Sequence, residues 1–84
     1  FDAYADHDGS DCLDVDGTVT ASGPVSVNAT VIGGILGPWK IMSATGGISA
    51  LFEPVTAHIG IYKANSDTEL WMERFAVGTV LNIR

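Results

Sequence analysis

The chain has 84 residues, enough for one domain spanning 1–84 and no second core. Ten acids face only Lys40, Lys63, Arg74 and Arg84, a net charge of −6, so too few scattered cations exist to neutralise a phosphate backbone or hold an anionic membrane surface. With 46% hydrophobic and 17% charged residues the chain is too apolar for disorder, and its polar coat is thin for its size.

A domain this small buries only about 60–65% of the surface its unfolded chain would expose. Cys12 is the single cysteine, which rules out an internal disulfide. Metal binding, burial against copies of itself or an unusually good core must then supply the margin. The uncharged stretch Ile41–Phe52 is too short for a bilayer and is broken by Gly46-Gly47, so membrane insertion is not expected.

Residues 1–17 hold six of the ten acids and no lysine or arginine. Their Asp-Gly and Gly-Ser pairs mark turns, which predicts an acidic, loop-rich arm leading into a β core over 18–84. Leu13, Val15, Gly17 and Val19 alternate weakly, and Cys12 reads as a small buried residue on that first strand. After the Ser22-Gly23-Pro24 turn, Val25, Val27, Ala29 and Val31 alternate cleanly with Ser26, Asn28 and Thr30. The glycine pairs at 33–34 and 46–47, with Gly37-Pro38, interrupt any helix, leaving Trp39–Ala44 and Ile48–Phe52 as short strands.

Val55, Ala57, Ile59 and Ile61 alternate again, with Pro54 just ahead of them and His58 on the opposite, polar face. Asn65-Ser66-Asp67 reads as a turn. Residues 67–76 admit two readings. Ser66 and Glu69 have capping-box spacing and Gly78 suits a helix end, whereas the β flanks favour a hairpin of Tyr62–Lys63 with Glu69–Trp71. Val77–Ile83 reads as a final strand. The predicted fold is all-β: a small antiparallel barrel or sandwich of about five to seven short strands, with a short helix near 67–76 as the variant.

Asp6, Asp8, Asp11, Asp14 and Asp16 form the strongest polar signal. Closely spaced carboxylates with turn glycines suit a hard cation such as Ca²⁺, which takes roughly six to eight oxygens. Asp6-His7-Asp8-Gly9 and Asp14-Val15-Asp16-Gly17 look like openings of such loops, but counting from Asp6 puts Asp11 and Gly17 where an EF-hand needs glycine and glutamate. The alternative is that these aspartates cap turns on a solvated arm. His7 and Cys12 match no zinc spacing, and the surrounding carboxylates oppose a reactive thiolate.

Glu53, Glu69 and Glu73 are the acids available for paired-carboxylate chemistry, but nothing in the sequence sets their separation. Asn28-Ala29-Thr30 is an N-glycosylation sequon within a strand pattern. A ligand pocket, if present, is expected from Trp39, Met42, Phe52, Trp71 and Phe75, with Tyr62 or His58 as polar handle.

Apolar strands with little charge must hide their edges by closure or against another subunit. The expected function is therefore a non-catalytic, self-assembling structural or surface protein, such as a coat, virion or filament component. It would act as a homo-oligomer through β-edge pairing and apolar burial between copies. A small-molecule-binding β-barrel for a hydrophobic ligand, including a cyclase-like enzyme, is the alternative, and a calcium-dependent adhesion or lectin module the third. An extracellular, cell-surface or virion location is the expectation.

Overall fold

A computed structural model describes residues 1–34 and 36–75, so the strand predicted over Val77–Ile83 lies outside the described residues. The described chain is all-β: β1 (Asp2–Asp6), β2 (Gly9–Ser10), β3 (Leu13–Val15), β4 (Val25–Val31), β5 (Trp39–Ala44), β6 (Phe52–Pro54), β7 (Ile59–Ala64) and β8 (Glu69–Arg74). They form two four-stranded sheets, in the orders β2-β1-β4-β6 and β3-β5-β8-β7. Neither sheet closes on itself, so the architecture is a sandwich rather than a barrel.

The expectation of antiparallel pairing is corrected. β1 with β4, β4 with β6, and β3 with β5 all run parallel, and only β1–β2, β5–β8 and β7–β8 are antiparallel. Parallel partners are 26, 27 or 29 residues apart, as in Asp2 with Asn28, Val25 with Phe52 and Leu13 with Met42. The chain thus coils between the sheets, β1 and β2 then β3, β4 then β5, and β6 then β7 and β8. Such long crossovers carry no hairpin signal, and no sequence repeat accompanies this spatial one.

β4 and β5 fall where alternation and glycine punctuation placed them. In β4, Val27 is buried while Ser26, Asn28 and Thr30 face solvent. The acidic arm is more ordered than expected, because it contains β1, β2 and β3. Ala3 and Ala5 are buried between exposed Asp2 and Tyr4, a strand alternation that small alanines make faint in the sequence. The strand expected over 55–61 is broken: β6 ends at Pro54, and β7 begins only at Ile59, after His58 adopts φ 64°.

The helix option at 67–76 is overturned. Leu70 and Met72 are buried and Glu69, Trp71 and Glu73 alternate with them, so β8 buries one face of a strand. Ser66 cannot cap a helix because it sits at φ 56° in the turn Asn65-Ser66-Asp67, all three residues left-handed. That turn closes the β7–β8 hairpin, with Tyr62 opposite Trp71 and Lys63 opposite Leu70. Val27, Ile41, Ile48, Leu70 and Met72 are the fully buried centre, drawn from both sheets and the loop after β5.

Candidate functional site

The five aspartates do not converge. Asp6, Asp8 and Asp11 border a shallow depression with Tyr4, Gly9 and Ser10, whereas Asp14 lies on β3 and Asp16 just after it. Asp6 accepts the Asp8 amide at 2.9 Å, closing the β1–β2 turn, and the Tyr4 hydroxyl at 3.2 Å. Local desolvation, then the Asp6 and Asp11 charges, hold the Tyr4 phenol above its ordinary pKa. Asp14 accepts the Ser43 hydroxyl at 2.7 Å, and Asp16 accepts the Thr45 hydroxyl at 3.3 Å. These carboxylates tie turns and coils together. Among the described residues no three His, Cys, Asp or Glu side chains form a group able to hold a metal ion.

Cys12 is exposed rather than buried, and its thiol donates to Asp14 at 3.6 Å. Partial desolvation and the Asp14 carboxylate push that thiol above its ordinary pKa, the opposite of what a nucleophile needs. His7 is an exposed neighbour of Asp8 at 3.7 Å. Glu69 is committed structurally: one oxygen accepts Asn65 at 2.6 Å and the Trp71 indole N–H at 3.0 Å, and the other lies 3.9 Å from the Lys40 ammonium. Glu53 is exposed and Glu73 half-buried.

The aromatic set is dispersed as well. Trp39, Met42 and Phe52 are core residues. Trp71 and Tyr62 pair across the outer face of the second sheet, beside Lys40. His58 and Phe75 do meet, at a half-open cleft of about 730 Å³ that the other five do not line. Its walls come from β4 (Ala29, Thr30, Val31), the loop before β5 (Gly34, Leu36), the 56–59 turn and the end of β8 (Arg74, Phe75). Sequence reasoning missed Leu36 and Arg74 here, because four distant segments build the cleft and none carries a local signal.

The sheet edges differ sharply in protection. β2 has two residues and lies between Asp8 and Asp11, and β3 has three, with Asp14 among them. In β6, Leu51 accepts the Val25 amide and Val55 donates to Val27, so Phe52 and Pro54 point their backbone groups away from β4. Pro54 thus removes a donor from the open side, a standard edge guard. β7 is the long edge among the described residues, six residues with Lys63 as its one charge. Phe75 donates to the His58 carbonyl at 2.7 Å, which sets the ladder phase. Gly60, Tyr62 and Ala64 therefore bond β8, while Ile59, Ile61 and Lys63 aim their N–H and C=O groups outward. Beside this edge runs an apolar groove of about 270 Å³ lined by Leu51, Phe52, Ile61, Tyr62, Lys63 and Leu70.

Among the described residues these features define a small all-β sandwich with an open β7 edge, an apolar groove beside it and a half-open cleft. No protein-family model, no curated protein and no solved structure matches the chain.

Proposed function

We propose that this chain is a non-catalytic structural or surface domain that joins copies of itself along β7. The observation that carries this reading is the six-residue β7 edge, with the outward backbone groups of Ile59, Ile61 and Lys63 beside an apolar groove. An edge of this length, unpaired among the described residues, is a template for another strand. A two-fold pairing centred on Ile61 places each Lys63 opposite the other copy's Ile59, so no like charges meet. Leu51, 56% exposed, then gains cover in the groove. Asp14 of β3 and Asp16 just after it lie at the far side of the same sheet, away from the contact.

Two substitutions at one position test the reading. Lys63→Pro deletes an outward donor while leaving the β8 ladder intact, and Lys63→Ala removes the same charge but keeps the donor. Sedimentation over a concentration series should show self-association for the wild type and for Lys63→Ala. Lys63→Pro should associate about tenfold or more weakly, the loss expected for one ladder bond from each copy and the misfit around it. A wild-type chain that stays monomeric throughout would refute the proposal, as would equal association of the two variants.

A further inference from the structure

We propose that the cleft between β4, the 56–59 turn and the end of β8 binds a small monocarboxylic acid with an apolar body. The site shares only Ile59 with the ladder contact of β7, and the inference stands whether or not copies associate. Three observations carry it together: the cavity, the character of its wall and the distribution of charge around it.

The cleft is about 730 Å³, within the usual size of small-molecule sites, roughly 300–1,000 Å³. Ala29, Val31, Leu36, Ile59 and Phe75 give it an apolar wall suited to a hydrocarbon or aryl body. Thr56 also lines it, but its hydroxyl is tied to β4, accepting the Ala29 amide at 2.9 Å and facing the Ala29 carbonyl at 3.4 Å. Thr56 is therefore wall rather than recognition group.

Charge selects the head group. The chain carries ten acids, yet none lines this cleft, whereas Arg74 and His58 both do. Arg74 is held in place: its Nη2 donates to the Gly33 carbonyl at 2.6 Å and its backbone N–H to Leu36 at 2.8 Å. A guanidinium has five N–H donors in a planar fork, so several remain for a ligand. A carboxylate matches that fork in shape and charge, while an amine is repelled and an alcohol makes only neutral bonds. The His58 imidazole offers an N–H in either protonation state. Phosphate, with more charge and no apolar body, would leave most of this wall uncovered.

The test uses the full chain, kept dilute enough to be monomeric, with octanoate as probe below its micelle-forming concentration and octanol and octylamine as matched controls. Calorimetry should show saturable one-to-one binding of octanoate, weaker binding of octanol and none of octylamine. Arg74→Gln should weaken octanoate about tenfold or more while leaving octanol unchanged, the loss of one charge-assisted pair. Arg74→Lys keeps the charge without the fork and should fall between the two. Because Arg74 also supports the Gly33 loop, Ala57→Leu serves as the independent variant. Ala57 is exposed on the cleft wall, so the larger side chain should block octanoate without unfolding the protein. Absence of saturable binding, equal affinity for octanoate and octanol, or wild-type binding by Arg74→Gln and Ala57→Leu would each overturn the inference.

Discussion

The two edges of the second sheet, β3 and β7, meet the same physical problem in opposite ways. β3 is three residues long, and its flank is tied down by side chains: Ser43 to Asp14, Thr45 to Asp16, and the Gly17 amide to Thr45 at 2.9 Å. Its carboxylates repel a second strand and keep that side in water. β7 is twice as long, with a single charge and three residues whose backbone groups face outward. A net charge of −6 would suggest uniform repulsion between copies, but the acids are concentrated around β1 to β3. In so small a domain the placement of charge, more than its sum, decides which surface is left for contact.

Five changes sharpen this contrast, from the strongest effect to the weakest. Leu70 is fully buried on β8, the strand that supports β7, so Leu70→Ala should cost about 2–5 kcal/mol in urea unfolding and lower association with it. Exposed Leu51 lies in the groove beside β7, and Leu51→Ala should leave the urea midpoint nearly unchanged while weakening association. Such a split separates the fold from the contact.

At the β3 side the coils approach closely. A Cβ on Gly46 would lie 2.5 Å from the Thr18 hydroxyl and 3.0 Å from the Gly17 carbonyl carbon. Backbone cannot yield cheaply, so Gly46→Ala should destabilise by about 1–3 kcal/mol without altering association of the folded fraction. Ser66 holds φ 56° in the β7–β8 turn, a conformation that disfavours any residue with a Cβ. Ser66→Gly should therefore stabilise by about 1 kcal/mol, raising Tm by several degrees for a domain of this size.

The smallest effect concerns Asp14, whose carboxyl is held below its ordinary pKa by the Ser43 hydroxyl first and the Cys12 thiol second. A depressed folded value means its contribution is present above the unfolded pKa and lost as pH falls through the folded one, in the acid range below about pH 4. Ser43→Ala should raise the Asp14 pKa in a carboxyl NMR titration. An unchanged titration would show that the bond does not persist in solution.

The sequence made some of this legible and hid the rest for physical reasons. Val25–Val31 and Trp39–Ala44 were readable because branched or aromatic residues recur at strand spacing between glycine and proline breaks. The turn at Asn65-Ser66-Asp67 was readable because asparagine and aspartate tolerate left-handed backbone. The parallel coiling was not, since partners 26 to 29 residues apart leave no local mark. Trp39, Met42 and Phe52 resembled pocket residues, yet the core of so short a chain needed them. The cleft residues Leu36 and Arg74 acquire meaning only once the fold sets them beside His58 and Phe75. The acids were visible as a cluster, but their separate hydroxyl and amide partners depend on β5 and on the β1–β2 turn.

Backbone hydrogen exchange along β7, followed residue by residue as protein concentration rises, tests the central claim most directly. Gly60, Tyr62 and Ala64 should be protected at every concentration, because their amides bond β8, while Ile59, Ile61 and Lys63 should exchange freely when dilute and become protected as copies pair. Outward amides that exchange equally fast at all concentrations would contradict the account.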